Sequence, residues 1–485
     1  MLQRPYPADF FPLPAGSTAT LPWVGVAPGA PYFQAEDGMP FTPLGQNDAV
    51  DWPELAGLYR RRDIEAVDRH LAHLRAHGVT CLRLMLEYAQ GRHRYLERPA
   101  GRFVPNMVQF WDDLFRLCEK HGLRILLTPY DTFWMWQRWR WHPYNSAGNG
   151  PLDHPSRLLT CKATRAAMKA RITFAAERWG GSGALFAWDL LNEIHPAHDG
   201  GRAENFCEFI HDISTHLRQI ECRLYGRSHL QTVSVFGPEL DTRHGRTIAE
   251  AIFRHPDLDF ATIHIYESGT IDWPRDTVKP ALAVGRIVRN CLAEIGDDRP
   301  FLDTEHGPIH LFKDRKRTLP EPFDDEYFRH IQWAHLASGG AGGGMRWPNR
   351  HPHTLTLGMR QAQRSLAGFA DLVDWGSFRR VNLNEEITGD TARLAVFACG
   401  DPEQAIAWLL RQDIRGAGGR LREDAEVSGT DITIPGLRDG RYRVNFWDTK
   451  GGRSAGIAEI AARGGLRIDA AVHTDLAVFA RRIPA

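Results

Sequence analysis

From residue 40 to residue 370, short apolar runs alternate with longer segments whose apolar positions recur at helical spacing. The runs predict strands over 41–46, 81–86, 124–129, 185–190, 230–235, 260–266, 300–304 and 342–347. The periodic segments predict helices over 64–76, 106–121, 164–179, 204–221, 279–295, 325–338 and 357–372, and the helix due after the fifth strand has the faintest period. Each parallel strand needs a crossover to bring the chain back, so eight strand–helix units predict an α/β fold, a (β/α)8 TIM barrel. A doubly wound sheet is the rival. It usually has fewer strands and often a glycine-rich phosphate loop after the first, and the chain has neither GxGxxG there nor GxxxxGK[ST] anywhere. The run GGAGGG at 339–344 precedes a strand, and reads as a tight turn into the eighth.

Beyond Trp375 the pattern changes to short alternating segments, 394–398, 405–410, 431–434, 441–447, 466–469 and 476–480, with glycine-rich stretches at 416–419 and 450–452. This predicts a small C-terminal antiparallel β-sandwich over 376–485, behind a barrel domain with an N-terminal lead-in over 1–375. The first 20 residues read as irregular, followed by strands near Val24 and Tyr32 and a turn at Asp37-Gly38 that would plug the bottom of the barrel. Trp408, Tyr442, Phe446 and Trp447 suit a sandwich that binds carbohydrate or one that braces the barrel, and bracing is the preferred reading.

Composition narrows the function. A length of 485 residues fits one large and one small domain. Lys plus Arg and Asp plus Glu both total 59, and no long run of like charge offers a stripe for nucleic acid or anionic lipid. At 43% hydrophobic and 24% charged the chain is an ordinary globular one. The first 35 residues have no apolar run behind a basic start, so no secretory leader is expected, and no apolar stretch reaches the length needed to span a membrane. Its seven cysteines are scattered and never spaced as CxxC, which points to reduced thiols and a cytoplasmic setting. Neither nucleic acid nor membrane is an expected partner, no cofactor or metal is expected, and oligomeric state is left open.

In a barrel of this kind the reacting groups sit where strands end and loops to the helices begin. Strand two offers Arg83, strand three Tyr130 and Asp131, strand four Asn192 and Glu193, strand six His264 and Tyr266, strand seven Glu305 and His306, strand eight Arg346 and Trp347. Two carboxylates stand out. Glu193 closes FAWDLLNE and Glu305 closes RPFLDTE, each an apolar strand running straight into an acid. Glycosidic bond cleavage asks for such a pair, one acid kept protonated to serve the leaving oxygen and one ionised to attack or to activate water.

On these residues the chain resembles a clan A glycoside hydrolase, and is most similar to glycoside hydrolase family 5, over about residues 40–350. The resemblance implies an O-glycosyl hydrolase acting by double displacement with retention, with Glu305 as nucleophile and Glu193 as acid/base. It also implies that Arg83 orients the nucleophile, that Asn192 meets the sugar 2-hydroxyl, that Tyr266 touches the nucleophile, and that His264, Tyr266 and Trp347 line the subsite of the sugar being cleaved. Where many relatives carry a histidine near the end of strand three, this chain has Tyr130 and Asp131, and Asp131 becomes the candidate for that contact. The following loop, DTFWMWQRWRWHPYN, holds four tryptophans, of which Trp134 and Trp136 are candidates to stack on a sugar.

The favoured substrate is a β-mannoside, or another β-linked hexoside or oligosaccharide. A long loop over one end of the mouth favours exo-action. The alternatives are an endo-β-1,4-glucanase or mannanase and a non-catalytic glycan-binding barrel. Glu193, and equally Glu305, could instead be a buried structural partner of Arg83, and His195 and His198 could suggest a metal-dependent hydrolase, though no further ligand cluster of metal spacing accompanies them. Asp189 and Asp303, each just ahead of a candidate acid, read as scaffold hydrogen-bonders.

Overall fold

A computed structural model of the chain describes residues 5–12, 21–60, 62–87, 94–266, 274–308, 318–350, 352–389 and 391–484. Of the lead-in expected over the first 20 residues, 1–4 and 13–20 lie outside the described residues.

Eight parallel strands form the central sheet: β1 (Gly45–Asp48), β2 (Cys81–Met85), β3 (Arg124–Thr128), β4 (Leu185–Asp189), β5 (Leu230–Thr232), β6 (Ala261–Ile265), β7 (Phe301–His306) and β8 (Met345–Arg346). Every residue in them is buried, which is why they read as apolar runs and not as alternating ones. Their order is β5-β4-β3-β2-β1-β8-β7-β6. The two ends meet through a bridge between Phe236 and His264, a bond from the His264 amide to the Val235 carbonyl at 2.8 Å, and paired Thr232 and Thr262 hydroxyls at 3.1 Å. The sheet is a closed TIM barrel.

The crossover helices are α1 (Ile64–Ala76), α2 (Pro105–His121), α3 (Lys162–Trp179), α4 (Phe206–Tyr225), α5 (Gly245–Phe253), α6 (Lys279–Ile295), α7 (Glu321–Ala337) and α8 (Leu357–Ala370). Asp63 caps the start of α1, its carboxylate accepting the Ala66 amide at 3.1 Å. Among the described residues no helix is long and apolar enough to cross a membrane.

The first and last strands differ from expectation. Pro40–Phe41 pairs antiparallel with the strand Phe33–Ala35, and the barrel strand begins only at Gly45. Pro43 has no amide hydrogen to give, and the link is held instead by Thr80, whose hydroxyl donates to the Thr42 carbonyl at 2.6 Å and accepts the Leu44 amide at 2.9 Å. The eighth strand is two residues long, because 342–344 belong to the glycine turn.

The C-terminal strands are β9 (Val381–Asn382), β10 (Thr388–Gly389), β11 (Leu394–Gly400), β12 (Gln404–Arg411), β13 (Ser428–Ile434), β14 (Gly440–Asp448), β15 (Arg453–Ala462), β16 (Leu466–Val472) and β17 (Asp475–Arg482). They form a six-stranded sheet, β9-β11-β12-β17-β14-β15, and a three-stranded one, β10-β13-β16. Ala398, Leu409 and Val478 of the first meet Ile432 and Ile468 of the second in one apolar core. The edge strand β15 escaped the sequence pattern because its run RSAGIAEIAA is short of large apolar residues.

The other face of the six-stranded sheet packs on the barrel helices. Trp408 is buried between Phe397, at 5.1 Å, and His330 of α7, at 5.5 Å. Trp447 donates its indole N–H to the Ser365 hydroxyl of α8 at 3.2 Å. Tyr442 lies in the sandwich core with its hydroxyl on two backbone carbonyls, those of Pro402 and Arg438, and Phe446 is half-buried.

Candidate active site

The site begins with a charge that has no access to water. Arg83, in β2, is completely buried, so each of its N–H groups needs a partner. Its Nη2 donates to Asp189 Oδ2 and to Asn192 Oδ1, both at 2.7 Å, and its Nη1 to Asn47 Oδ1 at 2.9 Å and Glu305 Oε2 at 3.1 Å. One guanidinium thereby joins the ends of β1, β2, β4 and β7. Burial alone would weaken that charge, but Asp189 and Glu305 more than offset it and raise the Arg83 pKa.

Glu305 is held from two more sides. The Tyr266 hydroxyl, just past β6, donates to Oε1 at 2.6 Å, and the ring of His264 approaches Oε2 at 3.7 Å. Burial, with Glu193 adding to it, raises the Glu305 carboxyl above its usual range, and Arg83 and the Tyr266 bond offset only part of this.

Glu193 follows β4 in a left-handed backbone conformation, φ 49°, which a non-glycine residue adopts only at a cost. Side chains on both neighbouring loops fix that turn. Its amide donates to the Ser234 hydroxyl at 3.2 Å, and its carbonyl accepts from the Thr132 hydroxyl at 3.1 Å. Its carboxylate Oε1 lies 2.9 Å from His264 Nδ1. Burial pushes the Glu193 carboxyl up to about 7, against Arg83 and His195, which lower it. Burial holds His264 down at about 4, so the ring beside both acids is neutral near pH 7.

An oxygen from each glutamate and a ring nitrogen of His264 lie within 4.8 Å of one another. Among the described residues this is also the group that could close on a cation. His195 and His198 form no such group: His195 pairs with Glu239 at 3.2 Å, and His198 faces the rings of Trp136 and His195.

Asp131 caps the short helix Thr132–Gln137, its Oδ1 accepting the Phe133 amide at 3.1 Å and the Asn192 side-chain amide at 3.2 Å. Asn192 is thus held at both ends, by Asp131 and Arg83. Asp131 Oδ2 is buried with no protein partner, and burial pushes this carboxyl up to about 8. Tyr130 does not share the site: its hydroxyl donates to the Met168 carbonyl in α3, behind the sheet.

Trp347 and Trp134 are half-buried and pack on a cluster of Ala49, Trp52 and Met85, with the Trp52 and Trp347 rings at 80° and 4.9 Å between centroids. Trp136 stands apart. It is 42% exposed and its ring neighbours are His154 and His198, so the structure does not bring it to the group around Glu193 and Glu305.

Four contributors were missed in the sequence: Asn47, Trp52, Ser234 and the ion pair of Asp189 with Arg83. Asn47 was hidden because the first strand was drawn as ending at 46, whereas β1 runs to Asp48. Trp52 follows it in the motif DWP. Of the two glutamates it is Glu305, not Glu193, that forms a salt bridge with Arg83, beside Asp189.

No protein-family model matches the chain. Over 287 residues it is 24% identical to the probable mannan endo-1,4-β-mannosidase A of Aspergillus flavus, which covers 54% of this chain and 70% of that protein. Among solved structures it is similar to a family 5 glycoside hydrolase of Bacteroides vulgatus, with a TM-score of 0.62, 14% identity and 95% of each chain covered. It is also similar to an exo-β-1,4-mannosidase of an Opitutaceae bacterium, with a TM-score of 0.53, 17% identity, and 72% of this chain and 63% of that one covered. Similar in fold to these structures and in sequence to a mannanase, the chain resembles the family 5 O-glycosyl hydrolases, as the residues at the ends of its barrel strands led us to expect.

Proposed function

We propose that the protein is a retaining β-glycoside hydrolase, with a β-mannoside as its favoured substrate. The observation that carries the reading is the approach of Glu193 and Glu305, with an oxygen of each within 4.8 Å of the other. Retaining enzymes hold their two carboxyl groups about 5–5.5 Å apart, whereas inverting ones need about 6.5–9.5 Å to admit a water.

Unequal environments divide the work. Glu193, up at about 7, keeps its proton near neutrality and delivers it to the glycosidic oxygen. Glu305, paired with Arg83 and hydrogen-bonded by Tyr266, is the ionised partner and attacks the anomeric carbon. The leaving group departs with the proton and the sugar is left esterified to Glu305. Glu193, now a carboxylate, takes a proton from water, and the hydroxide equivalent displaces Glu305 with net retention. Asn192, fixed by Arg83 and Asp131, presents its remaining amide hydrogen to the sugar 2-hydroxyl.

Exo-action is supported by the packing of Trp134, past β3, and Trp347, past β8, on the buried Trp52. Mannose identity is supported by the names of the relatives, a probable mannan endo-1,4-β-mannosidase and an exo-β-1,4-mannosidase. The endo reading is favoured by sequence relatives whose name is probable mannan endo-1,4-β-mannosidase. All seven cysteines are free, four of them buried, which fits the cytoplasmic setting read from their spacing. The sandwich is read as a second domain that braces α7 and α8.

The test is hydrolysis of 4-nitrophenyl β-mannoside, glucoside, galactoside and xyloside, and of short β-1,4-manno-oligosaccharides, with Glu305→Ala as control. Turnover of the mannoside with β-mannose as the first anomer seen by proton NMR is expected. Silence on all substrates, or an α-anomer appearing first, would overturn the proposal. Mannose as the sole early product from mannotetraose is the exo outcome; mannobiose from its middle is the endo one.

A further inference from the structure

The ladder between β6 and β7 slips by one residue beside the proposed nucleophile. Asp303 is registered with Ile263 and Glu305 with His264, so Thr304 is the extra residue of a bulge. A bulge leaves backbone amides without their ladder partners. Here one side chain takes two of them: Asp303 Oδ1 accepts the amide hydrogens of Glu305 at 3.2 Å and of Ile265, across on β6, at 3.3 Å. Its other oxygen, Oδ2, lies 2.7 Å from His306 Nδ1.

The residue is itself held from behind. The Asp303 amide donates to His335 Nε2 at 3.0 Å, and His335 Nδ1 meets the Gly342 carbonyl at 2.7 Å. A ring that accepts on one nitrogen and faces a carbonyl with the other carries its single proton on Nδ1 and is neutral. Asp303, His306 and His335 are all fully buried. Gly344, in the left-handed region at φ +74°, makes room for them: a Cβ there would lie 2.8 Å from Asp303 Oδ2 and 3.1 Å from His306 Nδ1. The glycine run ahead of β8 therefore does more than turn the chain. Burial raises the Asp303 carboxyl to about 8, a measure of what it costs to keep this acid in place.

We infer that Asp303 is a positioning residue for Glu305: by taking the two amide hydrogens at the bulge, it fixes the backbone turn that sends the Glu305 carboxylate to Arg83 and Tyr266. This deepens the glycosidase reading and rests on it. A leucine at 303 would fill the same space and leave both amides unbonded, whereas asparagine keeps the accepting oxygen.

The test compares Asp303→Leu and Asp303→Asn by two readouts. In hydrogen–deuterium exchange, peptides spanning 261–266 and 301–308 of Asp303→Leu are expected to exchange faster, and those of Asp303→Asn to match the wild type. On 4-nitrophenyl β-mannoside, Asp303→Leu is expected to lose about 100-fold in kcat with KM changed less than about threefold, as for a reacting group misplaced by about 1 Å. Asp303→Asn is expected to recover most of that loss. If Asp303→Leu does not fold, Asp303→Ser, too short to reach both amides, takes its place. Unchanged exchange in the leucine or serine variant overturns the inference, as does an asparagine variant that falls as far as leucine. A wild type silent on every glycoside would sink the glycosidase reading instead, and the exchange comparison would still decide whether Asp303 holds the bulge.

Discussion

Arg83 reaches Glu305 at 3.1 Å through Nη1, which also holds Asn47, from a position with no contact with solvent, while its other nitrogens are committed to Asp189 and Asn192. The ion pair is therefore part of the barrel's construction as well as of its chemistry. Replacing Arg83 by methionine leaves Asp189 and Glu305 buried without a counter-charge, and is expected to cost ~3–5 kcal/mol in denaturant unfolding. Lysine is expected to fall short too, because a single ammonium cannot reproduce the fork that spans four partners.

The two glutamates are expected to separate under chemical rescue. Glu193→Ala should lower kcat on a manno-oligosaccharide by roughly 10²–10⁴-fold. With azide present and an activated aryl mannoside as substrate, it should yield the β-mannosyl azide. Glu305→Ala should instead yield the α-mannosyl azide, since azide then attacks in place of the lost nucleophile. The same anomer from both variants would contradict the assigned roles.

Activity is expected to fall as pH rises through about 7, where Glu193 loses the proton it must deliver. Glu239, paired with His195 at 3.2 Å, is one of the negative neighbours that help keep that proton on. Glu239→Gln should move the alkaline limb of the kcat/KM profile to lower pH. A limb that stays in place would show that the charge at 239 is not felt by Glu193.

Asp131 carries a stability consequence of known sign. Its folded pKa, raised by burial to about 8, lies above the value near 3.9 of an unfolded aspartate. The folded state therefore holds a proton that the unfolded chain has lost, and stability should decline as pH rises from about 4 to about 8. Asp131→Asn removes that titration, so denaturation midpoints measured across this range should show a shallower decline than in the wild type.

The tryptophan cluster past β1, β3 and β8 gives a prediction about products. Trp134 is half-buried against the cluster of Ala49, Trp52 and Met85, and on the exo reading its removal opens the end of the cleft that this reading takes as closed. Trp134→Ala is expected to release mannobiose along with mannose from mannotetraose, read by chromatography of the early products. Trp136→Ala, whose ring neighbours are His154 and His198, should leave the product pattern as it is.

The barrel was legible because a parallel strand buried on both faces must be a continuous apolar run, and each crossover helix must show one apolar face. Those are local demands, and Ile64–Ala76 and Lys279–Ile295 satisfy them so fully that both helices were read to the residue. The two glutamates were legible for a related reason: an acid ending an apolar strand has few places to go except the barrel mouth. What the sequence could not supply was partnership across distance. Which carboxylates share Arg83, that His264 stands between both acids, that Asp303 reaches across to the amide of Ile265, and that Trp136 turns away while Trp134 turns in all depend on residues tens to hundreds of positions apart. Periodicity reports the face on which a residue lies. Only closure of the barrel brings those faces together, and the hydrogen bonds that give each acid its character form there.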